Sequence, residues 1–273
     1  MRCAMRFPFI KMHGLGNDFV VIDGRELALP PIDARIAAAL AHRRTGIGCD
    51  QLVLIESSNL ADFKMRIFNP DGSEVGACGN ASRAVALLHG KPCRIETASG
   101  VIEAHPAGDG IAVNMGVPHF GWDEIPLAYA MDTLSMPVGW EDLNNPAAVN
   151  VGNPHVVFFV PDTDAVELNR LGPLIENDPL FPERVNVNAA TIASRNAIRL
   201  RVWERGAGLT LACGTGACAT AIAAMRRGLV DRTVDVTLPG GPLTIAWMDD
   251  NSIIMTGPAT ESFRGSFEWD RFA

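Results

Sequence analysis

Two cysteines, Cys78 and Cys213, stand in nearly the same local sequence and have a spacing that could do chemistry. Each follows an alanine, precedes a glycine and opens a run of small and apolar residues typical of a short helix. A sulfur at such a position lies near unpaired backbone N–H groups, which favour negative charge on a thiolate or on a bound carboxylate. Their separation is close to half of the 273-residue chain. We therefore predict a duplicated domain whose halves face each other across one cleft.

A facing pair of thiols suits the inversion of a stereocentre. One sulfur, as thiolate, removes a proton from carbon, and the other, as thiol, delivers a proton to the opposite face without a metal or an organic cofactor. We expect the helix N-terminus to lower the thiol pKa and to supply a base near neutral pH. A nucleophilic mechanism usually needs one cysteine beside a base. On spacing alone, packing at the start of two helices is an equally supported interpretation.

Composition limits the classes of protein to be considered. The chain is 48% hydrophobic and 20% charged, as in a soluble globular protein with room for two domains. A net charge of −8 with dispersed Lys and Arg argues against nucleic acid as a partner. No apolar run approaches the roughly 18 residues of a membrane span, and the first residues lack the apolar centre of a signal peptide. We expect a cytoplasmic protein with no membrane partner.

The other cysteines carry no role that the sequence indicates. They are Cys3, Cys49, Cys93 and Cys218, and we expect them to be reduced thiols. No CxxC pair is present, and no histidine stands at ligand spacing from Cys213 and Cys218. We therefore expect no metal site.

The predicted elements follow one order twice. Strands are predicted at 19–23, 51–56, 63–68, 197–204, 234–238, 243–247, 253–255 and 263–269, and helices at 32–42 and after each of the two cysteines. The two cysteine helices end at Gly90 and Gly228 and are apolar almost all round, so both should be buried inside a sheet. We predict an α/β (α+β) fold with one domain formed by residues 1–117 and a returning strand at 260–273, and a second formed by 118–259.

Eight blocks, in order along the chain, resemble the motifs of diaminopimelate epimerases. They are Lys11–Phe19, Gly46–Gln51, Phe68–Glu74, Ala77–Asn80, Gly152–His155, Arg184–Asn186, Glu204–Gly208 and Thr210–Gly216. The resemblance implies two pseudo-symmetric domains, each a curled mixed sheet around a central helix, with the active site in the cleft between them. It implies cofactor-independent conversion of LL-2,6-diaminopimelate to the meso form, in lysine and peptidoglycan-precursor synthesis, by a cytoplasmic homodimer.

The resemblance also implies a role for each matching residue. Cys78 becomes the proton donor and Cys213 the proton acceptor for the LL substrate. His155 and Glu204 orient the substrate amine and tune the thiols. The remaining substrate-binding positions are Asn17, Gln51, Asn69, Gly79, Asn80, Asn153, Asn186, Arg205, Gly214 and Thr215. Among these, Asn69, Asn153, Asn186 and Arg205 match the positions that hold the distal amino-acid end of the substrate, because amides bind either charge and a guanidinium binds a carboxylate.

Simpler interpretations exist for several of these residues. His155 could be a core histidine, Asn69 a turn former, Asn186 an ordinary strand residue, and Glu204 with Arg205 a surface ion pair. His13 we assign a structural role. The sequence also departs from the common family pattern at three positions, which are Ala81 for a frequent glycine, Ala84 for a frequent cysteine, and Leu209 where an acidic residue is common.

Three other functions are alternatives to diaminopimelate epimerisation. A proline or hydroxyproline racemase of the same fold also uses paired cysteines, but it lacks the Asn and Arg set for a second amino-acid end. The phenazine-pathway isomerase type does without the cysteine pair. A catalytically silent binding protein is disfavoured because every expected catalytic position is filled.

Overall fold

The computed structural model describes residues 5–76 and 78–272, so Cys3 and Ala77 lie outside the described residues. Its strands are β1 (Arg6–Gly14), β2 (Asn17–Asp23), β3 (Gln51–Glu56), β4 (Phe63–Phe68), β5 (Glu74–Val75), β6 (Cys93–Thr97), β7 (Gly100–Ala107), β8 (Gly110–Asn114), β9 (Gly139–Trp140), β10 (Leu143–Asn144), β11 (Ala147–Asn150), β12 (Pro154–Phe159), β13 (Asn186–Ser194), β14 (Ala197–Glu204), β15 (Gly208–Thr210), β16 (Thr233–Leu238), β17 (Gly241–Trp247), β18 (Ile253–Gly257) and β19 (Thr260–Glu268). Its α-helices are α1 (Ala34–Ala41), α2 (Gly79–His89), α3 (Leu168–Glu176) and α4 (Gly214–Arg226), and short 3-10 helices span Thr163–Ala165 and Trp269–Arg271. In this part of the chain no helix has both the length and the apolar character that a membrane span requires.

The chain separates into two compact units. The first comprises Met1–Val113 with Gly257–Ala273, and the second comprises Asn114–Thr256. The last long strand, β19, pairs antiparallel with β1 and so belongs to the first unit.

The first unit is a mixed sheet with a helix on each side. From β19 the sheet continues through β1, β2, β3, β4, β6, β7 and β8. Two of its pairings are parallel, β2 with β3 and β4 with β6. Helix α2 packs against β1 and β2 and also against β6 and β7, so the sheet curls around it. Helix α1 packs on the other face, where Ile36 and Leu40 join a buried cluster with Val20 and Leu52.

The second unit repeats this plan. Its sheet runs β11, β12, β13, β14, β16, β17, with β12 parallel to β13 and β14 parallel to β16. Helix α4 packs against strands from both ends of this series, from β11 to β17, and α3 packs on the outer face over β13 and β14. A cluster of buried residues around Leu171, Ile175, Val187 and Phe158 fills the space under α3.

The duplication predicted from the two cysteines is therefore present in the order of the elements. In each unit a hairpin leads into a helix, a parallel strand, a second hairpin with a short third strand, and then a buried helix. Cys78 follows the last residue of β5, Val75, by three positions, and Cys213 follows the last residue of β15, Thr210, by three positions. Both the predicted fold class and the curling of each sheet around a central helix are confirmed.

The two central helices differ in burial. Helix α4 is buried along nearly its whole length, as predicted. Helix α2 is buried only from Asn80 to Ala86, and Leu87 in its last turn is 39% exposed. The prediction of complete burial was therefore wrong for the end of α2. Both helices end beside a glycine with positive φ, Gly90 at 76° and Gly228 at 68°. The backbone N–H of each glycine donates a hydrogen bond to a carbonyl group in the last turn of its helix.

Candidate active site

In the first unit, four predicted site residues are brought to one edge of the sheet. Asn17 and Gln51 begin the parallel strands β2 and β3, whose pairing sets Phe19 beside Gln51. Asn69 follows β4, which runs antiparallel to β3 and therefore ends at the edge where β3 begins. Cys78 then starts α2. The topology thus brings these polar residues to one edge although they are far apart in sequence, and Asn17 there contacts Cys78.

The second unit brings its own predicted residues together by the same topology. Asn153 and His155 lie at the start of β12, and His155 pairs in register with Asn186 at the start of the parallel strand β13. Glu204 ends β14, which is antiparallel to β13, and Cys213 starts α4. Each unit therefore presents strand ends and a cysteine-led helix N-terminus at one edge.

Cys78 is half-buried and faces a hydrogen-bond acceptor. It is the N-cap residue of α2 in extended conformation, with φ −149° and ψ 114°. Its sulfur lies 4.0 Å from Oδ1 of Asn17, to which a thiol donates. The same oxygen accepts from Nδ2 of Asn80 at 3.1 Å, and the fully buried Arg83 donates to Oδ1 of Asn80 at 2.9 Å. The side chain of Asn80 is thus engaged within the protein, and this chain of contacts fixes the Asn17 amide beside the thiol.

Cys213 is buried and faces hydrogen-bond donors. It is the N-cap residue of α4, and its sulfur accepts from the backbone N–H of Gly216 at 3.4 Å. The hydroxyl of Thr215 lies 3.5 Å from the same sulfur. Glu204 also contacts the thiol, and its Oε1 accepts from the Thr210 hydroxyl at 2.5 Å. Two donors and one carboxylate therefore surround this sulfur.

Burial has the largest effect on the ionisation of the Cys213 thiol. Burial and the negative charge of Glu204 raise the pKa of Cys213 well above its ordinary value, against the smaller effects of Thr215 and the Gly216 N–H. Burial also raises the pKa of Glu204, although hydrogen bonds from Thr210 and Cys213 oppose it. The expectation of a lowered thiol pKa at this helix N-terminus was thus wrong, because removing the thiolate from water outweighs the helix donors.

His155 is buried and neutral. Burial lowers its pKa to about 3, and Arg205 adds a smaller repulsion. Its Nε2 lies 3.0 Å from Oδ1 of Asn153 and 3.1 Å from Oγ1 of Thr215. The histidine is therefore both a core residue and a neighbour of the residue that contacts the Cys213 sulfur.

Two predicted binding residues use their side-chain amides for contacts within the protein. Nδ2 of Asn186 donates to the Pro154 carbonyl at 2.9 Å, and its Oδ1 accepts from the N–H of Arg205 at 2.9 Å. Asn69 donates from Nδ2 to Oγ of Ser73 at 3.1 Å within its turn. The simpler interpretations of both residues, as strand and turn residues, thus describe real contacts.

Arg205 and Gln51 present the groups best placed to bind a ligand. Glu204 and Arg205 turn to different partners, since Nη1 of Arg205 donates to the Glu183 carbonyl at 2.8 Å while Glu204 contacts Thr210. Oε1 of Gln51 is buried, and in the described part of the chain it has no hydrogen-bond partner. A buried acceptor without a partner is costly unless a ligand or water satisfies it.

Sequence reasoning missed Asn188, which is fully buried in β13 and contacts His155, Gly216 and Thr220. The signal was available, because Asn188 lies two residues after Asn186 and so shares its face of the strand. The contact of Thr210 with Glu204 was also missed.

Of the remaining cysteines, Cys49, Cys93 and Cys218 are buried, and Cys3 lies outside the described residues. Cys49 and Cys93 are buried thiols whose pKa burial raises to about 11. Cys218 is buried within α4. Among residues 5–76 and 78–272, no group of three or more His, Cys, Asp or Glu side chains is arranged to hold a metal ion.

Comparison with known proteins agrees with the blocks found in the sequence. The family model for diaminopimelate epimerase matches residues 9–121 and 147–261. A diaminopimelate epimerase from Erythrobacter litoralis (strain HTCC2594) is 66% identical over 269 residues, which cover 98% of this chain and 100% of that protein. A diaminopimelate epimerase from Rhizorhabdus wittichii is 63% identical over 268 residues, covering 98% of each.

Solved structures with low sequence identity share the fold. A PhzF-family phenazine biosynthesis protein from Bacillus anthracis superposes with a TM-score of 0.70 at 17% identity, covering 96% of this chain and 99% of that one. A hydroxyproline epimerase from Agrobacterium vitis superposes with a TM-score of 0.67 at 15% identity, covering 99% and 94%. The sequence matches extend over both units and almost the full length of the relatives. The chain belongs to the diaminopimelate epimerase family.

Proposed function

We propose that this protein epimerises LL-2,6-diaminopimelate to meso-diaminopimelate by a two-base mechanism, in lysine and peptidoglycan-precursor synthesis. Family membership over nearly the whole chain supports the substrate. The observation that carries the mechanism is the pair of cysteines at equivalent helix N-termini, Cys78 before α2 and Cys213 before α4. No metal or organic cofactor takes part in the proposed steps.

In the proposed reaction Cys213, as thiolate, removes the α-proton of the LL substrate, and the Cys78 thiol gives its proton to the opposite face of the same carbon. The product leaves a Cys213 thiol and a Cys78 thiolate, and proton exchange with solvent restores the starting state. The hydrogen-bond partners support this assignment. An acceptor, Oδ1 of Asn17, favours the thiol form of Cys78, and donors from Thr215 and Gly216 favour the thiolate form of Cys213.

Deprotonation of Cys213 requires help, because burial opposes the thiolate. Glu204 supplies an acceptor in contact with the thiol, and both groups have a raised pKa. The Cys213 thiol and the Glu204 carboxyl therefore form a hydrogen-bonded pair, and an ammonium group of the substrate beside it lowers the pKa of both. In this proposal the base forms when the substrate binds, and neutral His155 accepts or donates hydrogen bonds without adding positive charge.

The α-carboxylate at the reacting carbon is proposed to bind the N-terminal amides of the two central helices, at Gly79 and Asn80 and at Gly214 and Thr215. Charge that builds up on the carboxylate as the proton leaves is stabilised there by oriented N–H groups.

The distal end of the substrate is proposed to bind Asn69, Asn153, Asn186 and Arg205, with Asn17 and Gln51 as further contacts. The buried Oε1 of Gln51 supports an ammonium or amide ligand there. Arg205 is half-buried as a residue, and its guanidinium suits a carboxylate.

We propose a cytoplasmic homodimer. The family resemblance supports both points, and sedimentation of the purified protein checks the oligomeric state.

The test is proton exchange in D₂O followed by proton NMR, with purified enzyme, reductant, chelator and either LL-diaminopimelate or L-proline. We expect deuterium to enter the α-position of diaminopimelate as the meso form appears. Cys78→Ala and Cys213→Ala should each abolish the reaction, whereas Cys93→Ala, which removes a buried thiol away from the site, should retain it. Exchange into proline alone would contradict the substrate, and near-normal turnover by either single variant would contradict the two-base mechanism.

A further inference from the structure

We propose that Asn188 is a positioning residue that fixes the tautomer of His155, and that His155 thereby aims the Thr215 hydroxyl at the sulfur of Cys213. The inference rests on the proposed function for its effect on turnover, but its geometry lies entirely within the second unit. Four side chains in contact form this relay, which runs from Asn188 through His155 and Thr215 to Cys213.

The orientation of the Asn188 amide follows from its partners. Its Nδ2 lies 3.3 Å from the Gly216 carbonyl oxygen, which can only accept a hydrogen bond. Nitrogen must therefore face Gly216, because the flipped amide would set two acceptors against each other. The same nitrogen lies 3.2 Å from Nδ1 of His155 and 3.2 Å from Oγ1 of Thr220. Oδ1 of Asn188 is farther from that Nδ1, at 3.4 Å, so the shorter contact favours a hydrogen bond from Nδ2 to the ring. Since Asn188 is fully buried, no water competes for these hydrogens.

This orientation sets the protonation of the imidazole. A ring nitrogen that accepts from Asn188 carries no hydrogen, so neutral His155 holds its proton on Nε2. A second contact gives the same result, because Oδ1 of Asn153 lies 3.0 Å from Nε2 and requires a donor. Burial lowers the pKa of His155 to about 3 and keeps the ring neutral, although the hydrogen bond with Asn188 opposes this shift. Arg205 is the charged group that adds to the lowering.

The consequence reaches Cys213 through Thr215. The Nε2–H group has two acceptors within reach, Oδ1 of Asn153 at 3.0 Å and Oγ1 of Thr215 at 3.1 Å. Because Nε2 carries the hydrogen, the Thr215 hydroxyl cannot donate to it, and the hydroxyl hydrogen is directed elsewhere. The sulfur of Cys213, 3.5 Å from Oγ1 of Thr215, lies within reach. The opposite tautomer would accept from Thr215 and take the hydroxyl hydrogen away from the sulfur. Only one tautomer therefore leaves a donor for the thiolate that burial and Glu204 disfavour.

The first experiment reads the tautomer directly, by ¹⁵N–¹H correlation spectra of protein labelled at histidine, with His155→Gln to assign the signal among the six histidines. We expect His155 to be protonated on Nε2 in the wild-type protein at neutral pH. A wild-type His155 protonated on Nδ1, or on both nitrogens, would overturn the proposal without any variant at Asn188.

The second experiment measures what the relay does to the sulfur. Asn188→Leu keeps the approximate size of the side chain and removes the donor, and Thr220→Val is the matched control because it removes another Asn188 contact outside the relay. The rate of iodoacetamide labelling at Cys213 is followed against pH by mass spectrometry. We expect Asn188→Leu and Thr215→Val to move the midpoint to higher pH and to lower kcat about tenfold or more, with KM changed less. Thr220→Val should leave the midpoint in place.

The outcomes separate this proposal from the proposed function. If Asn188→Leu and Thr220→Val have the same pH midpoint for labelling of Cys213, the relay is overturned even if the protein epimerises diaminopimelate. A shifted midpoint in a protein that exchanges neither diaminopimelate nor proline would support the relay and contradict the proposed function. If Asn188→Leu does not fold, the wild-type tautomer and the Thr215→Val midpoint still decide.

Discussion

Gly216 is the position where a single added methyl group should most clearly separate activity from stability. Its N–H donates to the sulfur of Cys213 at 3.4 Å. A Cβ at this position would lie 3.0 Å from Cγ2 of Val202 and 3.2 Å from the Cys213 sulfur, closer than ordinary contacts. The equivalent residue after Cys78 is Ala81, and in the described residues α2 begins without a side-chain cap hydrogen bond. Gly216→Ala should therefore push the Cys213 sulfur away from its backbone donor.

The two effects of Gly216→Ala differ in size. Crowding in a packed interior costs about 1–3 kcal/mol, and alanine in place of glycine inside a helix returns about 1 kcal/mol, so stability should fall by about 0–2 kcal/mol. A hydrogen bond to a charged group contributes about 1.5–3 kcal/mol, which corresponds to a rise of about one to two units in the pKa of Cys213. We expect kcat for epimerisation to fall about ten- to a hundredfold in a folded protein.

The assay pairs iodoacetamide labelling of Cys213 against pH with steady-state epimerisation and thermal unfolding. Ala81→Gly is the control, because it makes the reverse change at the equivalent position of α2. It should cost about 1 kcal/mol of stability and leave the Cys213 midpoint unchanged. A wild-type labelling midpoint and turnover in Gly216→Ala would refute the view that the close approach of α4 sets the chemistry of this sulfur.

Three further changes test separate parts of the site. Glu204→Gln removes the charge that raises the pKa of Cys213, so the labelling midpoint should move to lower pH by about one unit, and a midpoint that stays or rises would contradict this. In the folded protein the pKa of His155 is about 3, against an ordinary value near 6.5. Below pH 6.5 the unfolded chain therefore binds more protons than the folded protein, and the free energy of unfolding decreases as the pH falls from 6.5 toward 3. Urea midpoints at pH 5 and pH 8 should show this group contributing about 2 kcal/mol to the difference, and His155→Gln should lose that contribution. Gly72→Ala sets a Cβ 2.0 Å from the Ala34 carbonyl oxygen at a φ of +85°, so it should destabilise the protein by more than about 2 kcal/mol, and an unchanged urea midpoint would exclude that clash.

Elements with a local signal were predicted well. Strands β3, β4 and β14 have the predicted bounds, because alternation or an apolar run together with turn residues defines each of them within a few positions. Helix α1 is shorter than predicted, since Asp33 caps it and its Oδ1 accepts from the N–H of Ile36. Asp33 is a helix start signal that the sequence itself contains.

Elements that depend on a distant partner were missed. Helix α3 contains Gly172 and Pro173, which are helix breakers by composition. Gly172 is needed because a Cβ there would lie 2.4 Å from the ring of Trp203, so the helix can approach β14 only with glycine at that point. This reason depends on tertiary packing, so the periodicity of the sequence does not show it.

The predicted site residues divide in the same way. The motifs located the helix N-termini and strand ends, because those positions follow from topology. They did not reveal that Asn186 uses both ends of its amide on backbone groups, or that burial reverses the expected shift in the pKa of Cys213. Hydrogen-bond partners and desolvation depend on which side chains come into contact across strands. A single sequence does not specify those contacts.

The difference between the two cysteines extends the argument from duplication. Two equivalent motifs predict two equivalent thiols, yet Cys78 faces the amide oxygen of Asn17 while Cys213 faces the N–H of Gly216 and the hydroxyl of Thr215. A two-base epimerase that worked on equivalent thiols would have no resting preference for either proton arrangement. Here the acceptor at one sulfur and the donors at the other favour opposite protonation states, and burial limits how far that preference goes because it penalises a thiolate at Cys213. The reaction must run in both directions, so a preference of moderate size fits the chemistry better than a strongly acidic thiol on one side.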